Sequence, residues 1–172
     1  MPALTRRRFV AALAAAPVLA PAHEQASRVL RFGHLHTGER LEVEYFAGGR
    51  YQPDALAAVN HLLRDFRNGE VGAMDPALLD LLHALRAQTG SRQPYEIISG
   101  YRSPATNRML HERSSGVASQ SLHMTGQAID IRVADVPLAQ LRQAALSLQR
   151  GGVGFYPGSN FVHVDTGRVR AW

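Results

Sequence analysis

The chain has 172 residues, 45% of them hydrophobic, with nine prolines, no cysteine and a formal net charge of +5. Its length suits one domain with a short extension, and the composition excludes a fibrous or disordered chain, disulfides and thiolate metal sites. Residues 1–22 hold three arginines and no acidic residue, so residues 23–172 have 16 arginines and 14 acidic residues, a net charge of +2. These residues also contain no run of basic residues interleaved with aromatic residues. A nucleic-acid partner is therefore not expected.

The N-terminal segment has the features of an export signal. Three arginines at 6–8 precede an apolar run at 10–20, and residues 20–22 form a small-x-small cleavage pattern. Paired arginines before a phenylalanine are typical of twin-arginine export. An apolar run of about ten residues cannot span a hydrocarbon core of ~30 Å. We therefore expect residues 1–22 to be a cleaved twin-arginine-type signal peptide and residues 23–172 to be a periplasmic domain without a transmembrane segment.

The first half of this domain predicts a β-hairpin and two helices. Two segments of alternating apolar and polar residues flank a short turn that contains glycine, which is typical of a hairpin. Two segments with helical apolar periodicity follow, and the second begins with an Asp-Pro pair, an N-cap residue followed by a first-turn proline. The predicted ranges are strands 29–36 and 40–46 and helices 53–66 and 75–90.

The second half predicts short apolar strands that alternate with helices. Gly151 and Gly152 are expected to stop the last helix. The order of elements predicts a single α+β domain, with a small antiparallel sheet on which the helices pack. The predicted ranges are strands 95–99, 127–133, 153–155 and 161–165 and helices 104–113 and 138–148.

Asp130 is a carboxylate within an apolar strand, between Ile129 and Ile131. A buried carboxylate without a partner is costly, so Asp130 needs a cation, which can be an arginine or a metal. His123 lies seven residues earlier, and Gly126 between the two allows a tight backbone turn. These residues are candidates for one site.

His163 and Asp165 lie two residues apart in the apolar strand 161–165, so their side chains share one face. Two imidazoles and a carboxylate form a three-ligand set for zinc, and they leave a fourth position for water, as in catalytic zinc sites. The spacing alone leaves open whether His123, Asp130 and His163 bind a metal or are capping and hydrogen-bonded residues.

Four segments in chain order resemble those of the lysostaphin/D-Ala-D-Ala-carboxypeptidase/hedgehog zinc metallopeptidases, and the resemblance is strongest to the murein endopeptidases among them. It covers essentially the whole of residues 23–172. It implies that the sheet carries a zinc ion held by His123, Asp130 and His163, and that the chain cleaves cross-links between peptidoglycan peptide stems, particularly those joining two diaminopimelate residues. The segments are Ser99-Gly100-Tyr101-Arg102-Ser103, Ser121-x-His123-x-x-Gly126-x-Ala128-x-Asp130, Gly151-Gly152-Val153-Gly154-x-Tyr156 and Phe161-Val162-His163-Val164-Asp165-Thr166-Gly167.

Arg102 and Ser121 are candidate substrate-binding residues. Arg102 follows a strand end, and its planar guanidinium could bind a substrate carboxylate or stabilise an oxyanion, the role that the resemblance implies. The alternative for Arg102 is a salt bridge to Asp130 or Asp165. Ser121 could form a hydrogen bond with the substrate or cap a turn, and both roles are open.

The general base does not follow the pattern of the resemblance. Many members have an acid three residues before the last ligand, where this chain has Asn160, and others have a histidine two residues before it, where this chain has Phe161. Asp165 is therefore a candidate catalytic residue together with Arg102, and it would act either as the general base or by orienting His163. The missing acid also keeps open a zinc-containing binding module without peptidase activity, like the hedgehog signalling domain, and a zinc-free structural wall protein is a third alternative.

Overall fold

The computed structural model describes residues 27–113 and 118–172. The predicted signal peptide at 1–22 lies outside the described residues, as does the segment 114–117. Within the described part, eight strands form one sheet with four α-helices, which confirms the α+β prediction. None of the helices in this part is long and apolar enough to cross a membrane.

The sheet is larger than predicted, and it is mixed. Its order is β3-β2-β1-β4-β5-β7-β6-β8. Neighbouring strands are antiparallel except in the pairs β1–β4 and β6–β8. Parallel pairing needs a long crossover, and the segment between β1 and β4 supplies one that contains two helices. The strands are β1 (Arg28–His34), β2 (Arg40–Ala47), β3 (Arg50–Tyr51), β4 (Tyr95–Ser99), β5 (Ala128–Val133), β6 (Gly152–Tyr156), β7 (Phe161–Asp165) and β8 (Arg170–Ala171).

The four helices lie where the sequence predicts them, with two differences at their ends. The first ends at Leu62, before the predicted end at residue 66, because the chain turns there to bring the buried Asp65 onto the backbone N–H of Ser103. The last ends with Gln149 in the left-handed conformation (φ 51°), so the prediction that Gly151 and Gly152 stop it is wrong. The helices are α1 (Pro53–Leu62), α2 (Pro76–Thr89), α3 (Pro104–Arg113) and α4 (Leu138–Leu148).

The hydrophobic core holds the central strands in place. Ile129 and Ile131 on β5 and Val162 and Val164 on β7 are completely or almost completely buried, and α4 packs against both strands. Each such aliphatic side chain contributes about 1.5–3 kcal/mol when it is fully buried. Because side chains alternate between the two faces of a strand, the polar residues between these core positions are fixed on the other face.

Candidate metal centre

Strand pairing brings Asp130 and His163 together. Asp130 on β5 lies directly opposite His163 on β7 in the antiparallel register. Their side chains point to the same face, and Nδ1 of His163 lies 2.9 Å from Oδ1 of Asp130. Both residues are buried. The register, and hence this contact, is fixed by the core residues on either side, because a slip of one residue would turn the core face outward.

His123 reaches the same point from a 3₁₀ turn, Leu122–Thr125, which leads into β5. Ser121 caps the turn by accepting a hydrogen bond from the backbone N–H of His123. Gly126 ends the turn in the left-handed conformation (φ 67°), and a Cβ there would overlap the carbonyl oxygen of Ala73. Gly126 therefore allows both the tight turn and the close packing that place His123.

One ring nitrogen of each histidine forms a hydrogen bond with a group other than Asp130. Nδ1 of His123 lies 2.7 Å from the carbonyl oxygen of Gly100, which can only accept, so this nitrogen carries the proton. Nε2 of His163 lies 3.1 Å from Oδ2 of Asp165, and an ionised carboxylate also only accepts. In the neutral imidazoles, the other two nitrogens therefore present lone pairs towards Asp130.

These lone pairs meet at one carboxylate oxygen, Oδ1 of Asp130, which lies 3.4 Å from Nε2 of His123 and 2.9 Å from Nδ1 of His163. Three groups that carry lone pairs are stable at such distances only with a cation among them. Burial alone would raise the pKa of Asp130, but the two histidines, when they are protonated, outweigh burial and hold that pKa well below its usual range. The site therefore favours a charged carboxylate next to a positive centre.

The three donor atoms fit a zinc ion. The nearest donor atoms of His123, Asp130 and His163 all lie within 4.8 Å of one another. Zinc bonds of ~2.0–2.2 Å at tetrahedral angles place neighbouring ligand atoms roughly 3.3 Å apart, which is close to the two separations to Asp130. The ring nitrogens that face away from Asp130 bond to the carbonyl of Gly100 and the carboxylate of Asp165. Metal-binding histidines are usually oriented by such a hydrogen bond on the nitrogen that does not bind the metal.

Asp165 is completely buried and has a full set of hydrogen-bond donors. Its Oδ1 accepts from the backbone N–H groups of Gly152 and Gly167 at 2.9 Å each and from Nη1 of Arg170 at 3.0 Å, and its Oδ2 accepts from Nη2 of Arg170 at 2.7 Å in addition to His163. Burial would raise the pKa of Asp165, but these donors outweigh it and hold the pKa well below its usual range. Burial would lower the pKa of His163, but Asp130 and Asp165 outweigh burial and raise that pKa.

Arg102 lies beside the centre, and its guanidinium is free of ion pairs within the described ranges. Among the described residues, no carboxylate forms a salt bridge with Arg102, and the arginine that pairs with Asp165 is Arg170. Arg102 donates through Nη1 to Oδ1 of Asn107 at 3.3 Å, and its buried Nε has no hydrogen-bond partner in the described part of the chain. Burial lowers its pKa from the ordinary value, but a guanidinium stays charged. Arg102 can therefore bind an anion.

A cavity of about 580 Å³ opens above the donor set. Arg102, Ser121, His123, Asp130 and His163 all line it, so the structure brings the predicted ligands and the predicted substrate-binding residues to one place. Asp165 lies beneath His163, outside this lining. Three further lining residues have no role predicted from the sequence, although Tyr156 lies in one of the four segments that carry the resemblance and the other two follow shortly after Asp165. These residues are Tyr156, Arg170 and Trp172.

The chain is similar to proteins of known name. A family model, Peptidase_M15_2, described as "Peptidoglycan L,D-endopeptidase MepK", matches residues 22–172. The "Peptidoglycan L,D-endopeptidase MepK" of Escherichia coli strain K12 is 45% identical over 162 residues, which cover 94% of this chain and 89% of that protein. The "Probable peptidoglycan L,D-endopeptidase MepK" of Haemophilus influenzae is 44% identical over 156 residues, 90% of this chain and 84% of that one. A crystal structure of the Serratia marcescens L-Ala D-Glu endopeptidase ChiX matches 45% of this chain and 62% of that chain, with 25% identity and a TM-score of 0.36.

Proposed function

The chain belongs to the Peptidase_M15_2 family of peptidoglycan L,D-endopeptidases, and from this premise we propose that it is a zinc-dependent endopeptidase that hydrolyses L,D cross-links between peptidoglycan peptide stems. The proposed bond joins two diaminopimelate residues. The observation that carries the proposal is the convergence of His123, Asp130 and His163 on one point at the base of a cavity. These three residues would hold the zinc ion.

The bound zinc ion would polarise the amide carbonyl and lower the pKa of water towards ~7, which is the chemistry that amide hydrolysis needs. The chain's own residues prepare the site for it. The carbonyl of Gly100 and the carboxylate of Asp165 fix the tautomers of His123 and His163, so that the correct nitrogens face Asp130. Fixed donor atoms need no reorganisation when the reaction occurs.

Arg102 and Ser121 would bind the substrate. Peptide stems carry free carboxylates, and Arg102 presents a charged guanidinium to the cavity without a competing carboxylate partner among the described residues. Its planar group can hold a carboxylate or an oxyanion through two parallel hydrogen bonds. Ser121 uses its oxygen as the acceptor for the N–H of His123, which leaves its hydroxyl proton to donate to the substrate.

Of the two roles considered for Asp165, we propose that it orients His163. A general base needs a lone pair that can reach the proton it removes. The two oxygens of Asp165 already accept five hydrogen bonds, and the side chain is completely buried beneath His163. A buried carboxylate on the second nitrogen of a ligand histidine is a common means of fixing the ring and raising its basicity.

The place of action would be the periplasm, reached by the twin-arginine route. The support is the arginine-rich and apolar sequence of residues 1–22 and the location of peptidoglycan outside the cytoplasmic membrane. The hedgehog-like binding module is not favoured, because the relatives reported above are named endopeptidases over nearly the same length of chain.

The decisive experiment is digestion of purified sacculi, and of muropeptides of defined linkage, by the zinc-loaded protein, with products identified by mass spectrometry. We expect hydrolysis of the L,D-linked dimer, its loss in a chelator and its return with added zinc. Asp130→Ala is the inactive control. A protein that binds zinc stoichiometrically but releases no product from any muropeptide would contradict the endopeptidase proposal and favour the binding module.

A further inference from the structure

One wall of the site cavity is aromatic and has no role in the proposed chemistry. Tyr156, at the end of β6, stacks on Phe161 at the start of β7, with 4.6 Å between ring centroids and 21° between ring planes. Trp172 donates a hydrogen bond from Nε1 to the hydroxyl oxygen of Tyr156 at 2.7 Å. All three side chains line the cavity that holds the candidate metal ligands.

Trp172 is 46% exposed, and several contacts define the position of its indole. Its backbone pairs with β6 through hydrogen bonds to Val153 and Phe155. The ring lies against Gly154, where a Cβ would come within 2.8 Å of the indole carbons, and the guanidinium of Arg170 stands 4.8 Å from its centroid. The ring of His163 is 5.3 Å away. Trp172 therefore connects Tyr156 to the groups that surround the metal site.

The direction of the Trp172–Tyr156 hydrogen bond determines what Tyr156 can do. An indole N–H can only donate, so the hydroxyl oxygen of Tyr156 accepts, and the proton of this hydroxyl is directed elsewhere. No acceptor for that proton occurs within the described ranges. Arg102, which the proposed function places at the substrate, lines the same cavity as Tyr156. The hydroxyl is thus a donor that shares this cavity with a cationic group.

The cavity has donors where negative charge would develop. Asp130 is the one carboxylate among the lining residues that the structure describes, and it belongs to the candidate ligand set. When an amide is hydrolysed, the carbonyl oxygen becomes negatively charged, and each preorganised donor to it is worth about 10²–10³ in rate. Arg102 and Tyr156 are the side chains placed to share that task.

We infer, on the premise of the proposed function, that Tyr156 is a further catalytic residue: its hydroxyl donates a hydrogen bond to the carbonyl oxygen of the scissile amide, and Trp172 is the positioning residue that fixes this hydroxyl. In the reaction, the water oxygen bonds to the carbonyl carbon, the C–N bond breaks, both water protons end on the amine nitrogen, which leaves as an ammonium group, and the other product is a carboxylate. Tyr156 keeps its own proton throughout, so no further reactant is needed.

The test is steady-state kinetics of the zinc-loaded full chain on one L,D-linked muropeptide dimer. For Tyr156→Phe we expect kcat to fall by about 100-fold, with KM within about 3-fold and the same zinc content as the wild type. For Trp172→Phe, which keeps an aromatic ring but removes the N–H, we expect a fall of about 10-fold. The kcat of the double variant should lie within about 2-fold of the kcat of Tyr156→Phe, because both changes act on the same hydroxyl.

The matched control is Tyr51→Phe. Tyr51 lies on β3, at the opposite end of the strand order, and donates its hydroxyl to Asp80 at 2.7 Å. The kcat of Tyr51→Phe should stay within about 2-fold of that of the wild type. A Tyr156→Phe enzyme with kcat within about 3-fold of the wild type overturns the inference, as does a change in KM alone. If Tyr156→Phe does not fold, an unchanged kcat in Trp172→Phe overturns it instead. If the wild type itself shows no turnover, both the proposed function and the role of Tyr156 are contradicted. If the wild type is active and Tyr156→Phe is equally active, only the role of Tyr156 is contradicted.

Discussion

Replacement of Asp165 by asparagine separates its two candidate roles. The substitution keeps the size of the side chain but removes its charge. Oδ1 can still accept from Gly152 and Gly167, whereas an amide nitrogen in the place of Oδ2 would face Nη2 of Arg170 and Nε2 of His163, which are both donors. Asp165→Asn therefore loses two charge-assisted hydrogen bonds and leaves Arg170 without its carboxylate.

The stability cost follows from these contacts. Breaking a buried ion pair by removing one partner typically costs 3–5 kcal/mol. The side chain of Arg170 keeps 29% of its surface exposed and can regain water, so we expect the lower end, about 3 kcal/mol. In a chain of this size, that loss lowers Tm by about 6–12 °C. Loss of the carboxylate behind a ligand histidine should also weaken zinc binding by about 10–100-fold.

The assay measures kcat for Asp165→Asn at a zinc concentration that saturates the variant, with metal content determined on the same sample. If Asp165 orients His163, kcat returns to within about 10-fold of the wild type once zinc is bound. If Asp165 is the general base, kcat stays lower by about 10²–10⁴ even with full zinc content, and that result would refute our assignment.

Asp80→Asn is the matched control for this experiment. Asp80 on α2 accepts from Tyr45 and Tyr51 and forms an ion pair with Arg28, so it has a comparable set of donors at a distance from the candidate site. We expect Asp80→Asn to lower the free energy of unfolding without changing the affinity for zinc. A similar loss of zinc affinity in both variants would show that general destabilisation, and not the contact with His163, is responsible.

Three further predictions follow from single features of the chain. Gly126→Ala should destabilise the fold by about 3 kcal/mol in chemical denaturation and reduce zinc binding, because φ at this position is 67° and the added methyl would overlap the carbonyl of Ala73. His34 is 2% exposed, and burial lowers its pKa from 6.5 to about 4. As pH decreases, the unfolded chain therefore protonates His34 before the folded chain does, and the free energy of unfolding should fall by up to about 3 kcal/mol between pH 6.5 and pH 4. In His34→Gln this contribution to the pH dependence of the free energy of unfolding should be missing. Replacement of Arg6 and Arg7 by lysine should keep the full-length precursor in the cytoplasm, as judged by fractionation and immunoblotting, whereas unimpaired export would contradict the twin-arginine assignment.

Local signals predicted the elements that carry the site. The Asp75-Pro76 pair does begin α2, where the Asp75 side chain accepts from the N–H of Ala77, and Gly90 ends that helix in the left-handed conformation. The alternation in each of the two strands predicted that Asp130, and His163 with Asp165, point away from the face of their apolar neighbours, and those neighbours are core residues. Such features depend on neighbours in the chain, and for that reason they are visible in the sequence.

The remaining features depend on contacts between distant segments. The parallel pairing of β1 with β4 has no local signature, because a long crossover that contains α1 and α2 separates the two strands in the chain. The sequence predicts a helix end at Gly151 and Gly152, whereas in the structure a side chain at either position would overlap Asp165. The pairing of Arg170 with Asp165 likewise appears only when β8 lies beside β6.

The most direct test of the central claim is the zinc content of the purified wild-type chain and of Asp130→Ala, measured by elemental analysis after dialysis against micromolar zinc. If His123, Asp130 and His163 share one ion, the wild type should carry about one zinc per chain. The variant, in which two imidazoles remain without the carboxylate between them, should retain under about a tenth of that amount. A wild type without zinc, or an Asp130→Ala chain with a full zinc content, would contradict the account.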